Sequence, residues 1–417
     1  MLRSSCSATK SNESAARLRI DDVYLSFTKK RIRKDAGMLL FILGSTLAVV
    51  IGALALVNKK LLKIAMDSLQ LHLKYNVVAV KDMFWDNVQA GSNKTELPKI
   101  PGRVAIVTGG SRGIGTEVVR MLLQCDVEVV IACRRTSAGE KAVESIRKCG
   151  VTSGKANVME LDNSSLDSVR KFIEEFKNNY QKLDILVNNA GIMFTPYGET
   201  KDGFEEQYGV NYLSHFLLTV SLIPLLKNAG TADCCARVVN VSSCAHLLGD
   251  INFEDVNHKG YFVTGAAYAQ SKLAQLLFTK SLTRLFEKKK VHVVANAVHP
   301  GIVNTELFDH SYMKYFKLFR QLLFKSPTQG ATPIVFAAVS PKIEGKSGMY
   351  IANCLDSPVN PLANDEALQD RLFEISLKQV KLQNTAGIWM SISPSENWYL
   401  RYLISMIDHT HSVDHGK

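Results

Sequence analysis

Tyr268 and Lys272 stand four residues apart in the run YAQSK, so on a helix the phenol and the ammonium share one face and address one small volume. A fixed cation within about 4–6 Å favours a phenolate and draws a phenol down from its ordinary titration near 10. A tyrosine tuned this way exchanges a proton with an alcohol or a carbonyl near neutral pH. The pair alone is a weak signal, because the two residue types recur at this spacing on many solvated helices. Its weight comes from what lies upstream.

There, TGGSRGIG (Thr108–Gly115) follows an apolar stretch and opens a helical pattern. Glycines in such a place let the backbone turn sharply and approach a pyrophosphate, which the helix N-terminus stabilises. Gly109, Ser111, Arg112, Gly113, Ile114 and Gly115 are the candidate contacts. The next apolar run leads into Arg134 and Arg135, where a site selective for NAD usually carries an acidic residue; an arginine accommodates a 2′-phosphate instead. NADP(H) is therefore the expected cofactor, with NAD(H) left open. Asp162 closes the following strand pattern and is placed to accept from the adenine amino group. Asn188 and Asn189, followed by Ala190 and Gly191, are expected to tie neighbouring strands and floor the cofactor.

In order, TGGSRGIG, NNAG (188–191), NVSS (240–243) and YAQSK (268–272) resemble the short-chain dehydrogenase/reductase family, over roughly residues 101–355. The stretches 203–219, 266–274 and 300–305 are similar to its retinol-dehydrogenase-like branch, of the polyprenol dehydrogenase type. The resemblance implies a general acid/base at Tyr268, with Lys272 lowering its pKa and holding the nicotinamide ribose. It implies that Ser243 hydrogen-bonds the substrate oxygen, Ser242 being the weaker candidate, and that Asn211 anchors a proton-relaying water. Pro300, Gly301 and Thr305 would cover the nicotinamide amide. No metal is required.

These groups need a scaffold that brings strand ends together. Strand patterns fall at 104–108, 127–132, 155–161, 183–188, 237–241, 292–297 and 349–351. Helical patterns lie between them, at 114–124, 137–148, 166–180, 203–227, 267–286 and 329–338. Such alternation predicts a single doubly wound parallel sheet of the Rossmann type, with its ligand across the carboxyl ends of the strands. The domain is expected at 101–365, with 366–417 as a C-terminal extension.

Ahead of it, residues 36–57 form a run of 22 without a charge, long enough for a transmembrane helix, preceded by a basic tail at 1–35. Residues 58–100 read as a linker, with leucines that could lie along a bilayer surface. The formal charge of +11 is concentrated in blocks around residues 29–34 and 59–63, which suit membrane flanks; no recognition motif points to nucleic acid. The expected location is a single-pass membrane protein of the endoplasmic reticulum. The eight cysteines show no C-x-x-C spacing and favour a cytosolic catalytic domain, against a slight positive-inside preference for a lumenal one. Of the sequons, only Asn93 would be accessible to glycosylation, and a homodimer is compatible with all of this.

Between Thr305 and Pro327, aromatics including Phe308, Tyr312, Phe316 and Phe324 are interleaved with Lys314, Lys317, Arg320 and Lys325. A helix packed on the sheet, a solvated lid, or a lid touching lipid headgroups would each produce this mixture. With the anchor it favours a long lipid alcohol or aldehyde as substrate. A steroid dehydrogenase would share every catalytic residue; a membrane-tethered dinucleotide-binding scaffold without turnover could dispense with Tyr268. His246, His299 and His310 lack metal-ligand spacing and are expected to be structural.

Overall fold

The structure, a computed structural model, describes residues 59–310 and 315–382. The uncharged run at 36–57, Tyr312, Lys314 and the stretch beyond residue 382 lie outside the described residues.

Eight strands form one sheet in the order β3-β2-β1-β4-β5-β6-β7-β8. They are β1 (Val104–Thr108), β2 (Glu128–Cys133), β3 (Lys155–Glu160), β4 (Ile185–Asn188), β5 (Ala236–Val241), β6 (Val293–His299), β7 (Tyr350–Ala352) and β8 (Leu355–Asp356). The first seven are parallel and β8 returns antiparallel. Every residue of β1, β5 and β6 is buried, as central strands must be when helices cover both faces, the polar Arg237, Asn240, Asn296 and His299 included.

One layer holds α2 (Gly113–Gln124), α3 (Thr136–Lys148) and α8 (Pro327–Val339). The opposite layer holds α4 (Leu166–Asn179), α5 (Glu206–Ala229), α6 (Thr264–Lys289) and α9 (Glu366–Gln379). Local signals fix several helix starts: Ser326 and Gln329 form a reciprocal capping box ahead of Pro327, and Asp365 caps α9. The strand order reverses between β1 and β4, so the sheet has its crevice at the ends of those two strands.

Two elements differ from the sequence expectations. The stretch read as a linker contains a 30-residue helix, α1 (Lys59–Val88), which from Leu71 onward rests on the sheet domain. Its Tyr75 hydroxyl donates to Gly265 O (2.7 Å) and its Asp86 pairs with Lys325 (2.7 Å). The C-terminal extension begins inside the core: Leu372, Phe373 and Leu377 of α9 are buried, and Phe373 packs edge-on against Phe216 with ring centres 4.9 Å apart. The domain therefore runs past residue 365; the apolar spacing of Leu368, Leu372, Phe373 and Leu377 carried that signal, which the family motifs, ending earlier, did not. In the segment after Thr305, where a helix is one of the open readings, a 3-10 turn (Glu306–His310) is followed by the short helix α7 (Lys317–Leu323).

Among the described residues, one helix is long and apolar enough to cross a membrane, Glu206–Ala229; 89% of its apolar window is buried in the protein, so it is a core helix.

Candidate active site

At the crevice, the chain between β1 and α2 closes on itself. Gly109 has φ +66°, and a β-carbon there would sit 3.0 Å from Ala190 Cα; at Gly115 one would sit 2.3 Å from Gly109 O. Only glycine fits, and the backbone is left bare where a diphosphate would approach. Thr108 stitches this loop to β4. Its hydroxyl accepts from Asn189 N (2.9 Å) and Ala190 N (3.0 Å), while the Asn189 amide donates to Thr108 O (2.8 Å). Gly115→Ala is expected to force the loop open and weaken dinucleotide affinity by about 10-fold or more, at 1.4 kcal/mol per decade. Cofactor titration by fluorescence would check it.

Other candidates fall around this loop. Arg134 and Arg135 lie exposed just past β2. Arg112 reaches across to Glu306 (2.8 Å), spanning from the glycine loop to the segment after Thr305; both side chains are exposed, so the pair adds little stability. Ser111 hydrogen-bonds the Cys133 thiol, and Ile114 is half-buried at the start of α2. Asp162 turns back on its own chain, accepting from the backbone and the hydroxyl of Ser164 (3.0 and 2.7 Å), and those bonds with Lys201 nearby hold its carboxyl below the usual range. Asn188 binds Thr219 (2.9 Å) and Asn240 (2.8 Å), tying β4 to β5 as the paired asparagines suggested.

The second half of the site sits at the end of β5 and on α6. The Ser243 hydroxyl hydrogen-bonds the Tyr268 phenol and accepts from Ala245 N (3.2 Å). Ser242 turns away, donating to Lys272 O (2.9 Å) in the core. Lys272 and Tyr268 do face one space, the ammonium 5.7 Å from the ring centre. Lys272 Nζ donates to Val241 O (2.9 Å) and Gln275 Oε1 (2.9 Å).

The electrostatics run opposite to the spacing argument. Burial drives the Tyr268 phenol well above 10, the Ser243 hydrogen bond pulling it back only in part. Burial likewise pushes Lys272 down to about 7, with no carboxylate to oppose it. An i,i+4 spacing fixes proximity but says nothing of desolvation, and here the protein's own groups desolvate both partners. The phenol thus keeps its proton across the neutral range. It is poised to donate to a carbonyl; accepting from an alcohol needs more positive charge than the protein itself supplies.

Asn211 sits in a π-helical turn (Gly209–Leu213) inside α5, a local widening that such sites often use. Its side chain is fully engaged: Oδ1 accepts from Ile192 N (2.8 Å), and Nδ2 donates to Ile192 O (3.0 Å) and Ser271 Oγ (3.0 Å). Its carbonyl accepts from His215 Nδ1 (3.0 Å), leaving Nε2 to accept from the Thr108 hydroxyl (2.9 Å). Burial pushes His215 down to about 4, which keeps it neutral and suited to that relay. Sequence reading missed both Thr108 and His215. The i+4 placement of His215 after Asn211 was the available signal, but a buried histidine is invisible without the turn that aims it.

Pro300, Gly301 and Thr305 line the loop after β6, where Thr305 approaches Gly113 and its carbonyl accepts from Arg320 (2.6 Å). The glycine loop and this loop thus face each other across the crevice. Met193, Ala245 and Tyr268 form an apolar wall with Tyr75, Phe194, Leu307 and Phe308 packed against it. The rings of Tyr75, Phe194 and Tyr268 form an edge-on series at 5.4 and 5.5 Å.

His299 is more than a packing residue. Its Nε2 meets Asp82 of α1 (2.7 Å), and its Nδ1 accepts weakly from Cys244 N (3.3 Å). Asp82 raises the His299 pKa and is itself lowered in return. Cys244 is half-buried beside Ser243, where burial lifts its thiol. The Asp82, Cys244 and His299 ligand atoms lie within 4.8 Å of one another. The acceptor role of Nδ1 places the ring proton on Nε2 toward Asp82, which is the pattern of a pinned helix. The pair's stability is present above the carboxylate's unfolded pKa and lost as pH rises through the elevated histidine value. Asp82→Asn is expected to cost about 1–3 kcal/mol at pH 6 and less at alkaline pH, checked by denaturant titration at both.

A doubly wound sheet whose switch point carries a glycine cradle, with a serine, tyrosine and lysine at its rim, defines a dinucleotide-dependent oxidoreductase site. The short chain dehydrogenase family matches residues 103–315. The chain is 40% identical to human polyprenol dehydrogenase over 283 residues, 67% of this chain and 86% of the relative. It is 40% identical to mouse retinol dehydrogenase 12 over 296 residues, 70% and 91% of the two chains. A solved structure of an uncharacterised protein from Mycobacterium paratuberculosis superposes with a TM-score of 0.56 at 32% identity, covering 69% of this chain and 96% of that one. The chain belongs to the short-chain dehydrogenase/reductase family, in its retinol-dehydrogenase-like branch, and is an oxidoreductase acting on alcohols with a nicotinamide dinucleotide.

Proposed function

We propose that this protein interconverts a long-chain lipid alcohol and its aldehyde, of the polyprenol or retinoid kind, using NADP(H) while anchored to a membrane. The observation that carries the reading is the hydrogen-bonded pair of Ser243 and Tyr268 hydroxyls set against the apolar wall of Met193, Phe194 and Phe308. Polar groups confined to one end of an otherwise apolar surface suit a molecule with one oxygen and a long hydrocarbon.

The bound nicotinamide would supply or accept the hydride. In reduction, Ser243 would hold the carbonyl oxygen and Tyr268 would deliver its proton to it. Lys272, by its position beside the ring, would hold the ribose and restore the proton through a water anchored at Asn211. Arg112, Arg134 and Arg135 would take the 2′-phosphate; Arg134→Asp is expected to shift the preference toward NAD(H), read as the ratio of kcat/KM for the two cofactors. Residues 36–57 would be the anchor. A cytosolic catalytic domain is supported by the seven described cysteines, all free thiols, and by Asn93, whose amide nitrogen donates to Gln329 O (2.9 Å) rather than standing open as the sequon suggested. The endoplasmic reticulum is the proposed membrane.

Cofactor absorbance followed with polyprenal, retinal and a ketosteroid tests the reading. Turnover of the isoprenoid aldehydes is expected. Turnover of the ketosteroid alone would make it a steroid dehydrogenase, and tight cofactor binding with no turnover of any would make it a scaffold.

A further inference from the structure

Helix α1 is amphipathic in an inverted sense. Its Tyr75, Asp82 and Asp86 hold the domain: Tyr75 on Gly265, Asp82 on His299, Asp86 on Lys325 and, through its other oxygen, on the Ile302 backbone (3.4 Å). The opposite face is apolar and open. Leu73, Val77, Val80, Phe84 and Val88, at i, i+4, i+7, i+11 and i+15, are 57–69% exposed. That is one continuous stripe over four turns, and monomeric proteins rarely leave such a stripe in water. The edge of the stripe carries Lys74, Lys81 and the half-exposed Trp85, residue types that reach from an apolar surface to lipid phosphates. Close by, Leu318 (70% exposed) and Leu322 (74%) form a second open pair on α7, and the Lys325 that follows this helix is the residue that binds Asp86.

We infer that the outer face of α1, with the open leucines of α7, lies in the surface of the bilayer. The occupant is argued from the chain itself: the 22-residue uncharged run at 36–57 ends just before α1 begins, so a membrane that takes up that run leaves α1 no further than its own length from the lipid. Because Tyr75 on the inner face joins the apolar wall beside Tyr268, this seating would let a lipid substrate pass from bilayer to crevice along α1 without crossing water. The surface stands whether or not the proposed substrate is right.

The test uses the full chain reconstituted in phosphatidylcholine vesicles containing one-fifth phosphatidylserine. Phe84→Trp is placed in a background of Trp85→Phe, Trp389→Phe and Trp398→Phe, with Lys148→Trp in the same background as a reference on a distant exposed helix. Brominated lipid is expected to quench the Phe84→Trp signal several-fold more than the reference. Equal quenching would overturn the inference, as would cross-linking between copies through Val80→Cys with no lipid quenching, which would show that a second copy covers the stripe. A second arm measures Val77→Glu with Val80→Glu: KM for vesicle-borne polyprenal is expected to rise about 10-fold, with the constants for a short water-soluble aldehyde unchanged. An unchanged KM would remove the substrate path; lipid quenching without turnover of any aldehyde would remove the proposed function and leave the surface in place.

Discussion

Tyr268→Phe is expected to lower kcat by about 10²-fold or more while leaving dinucleotide affinity within error. The substitution removes one oxygen from a ring already packed against Phe194 and held in the core, so shape is conserved. What is lost is the proton donor and the hydrogen bond to Ser243. The latter costs about 0.5–1.5 kcal/mol, so Tm should fall only a few degrees and the folded fraction at assay temperature should be unchanged. Turnover and cofactor titration on one preparation would separate these effects. Near-normal turnover would remove Tyr268 from the chemistry. Because the phenol holds its proton far above neutrality, reduction of an aldehyde by the wild type should be flat across neutral pH, whereas alcohol oxidation should rise toward alkaline pH.

Lys272→Met should separate activity from stability in opposite directions. Activity is expected to fall by about 10²-fold or more, because the cation beside Tyr268 is gone. Stability of the free protein is expected to rise. The lysine is fully enclosed and its folded pKa, about 7, lies below the unfolded value near 10.4. Between those values the unfolded chain binds more protons than the folded one, so wild-type stability climbs with pH. The penalty is therefore full at and below about pH 7 and vanishes above about pH 10. The gain from methionine should be greatest near neutral pH and fade in alkali, less the bonds to Val241 O and Gln275 that it forfeits. Denaturant midpoints at pH 6.5 and 10 would check the sign. A loss of stability at both would mean that the two hydrogen bonds outweigh the buried charge.

The two variants bear on the same point, that the buried pair proposed to be catalytic is held in place against the cost of its own desolvation. Such a pair is tolerated because α6 is enclosed on most sides and the surrounding core pins it.

Much of this was legible in the sequence. The alternation of apolar runs with amphipathic segments fixed the order of β1 to β7 within a residue or two, because the spacing of apolar residues changes where a strand gives way to a helix. The glycines of Thr108–Gly115 announced the cradle, because a β-carbon at Gly115 would strike Gly109 O whatever else the protein did. Ser243 was separable from Ser242 because neighbouring side chains leave an extended strand on opposite sides. Other features left no local trace. The direction of the Tyr268 and Lys272 shifts depends on how much water the whole fold excludes. The role of α1 depends on Asp82 and Asp86 meeting His299 and Lys325 more than 200 positions away. The Thr108–His215–Asn211 relay depends on a π turn that no residue pattern specifies. Short-range sterics and periodicity are written into adjacent residues; desolvation and long-range pairing come into being only when the chain closes.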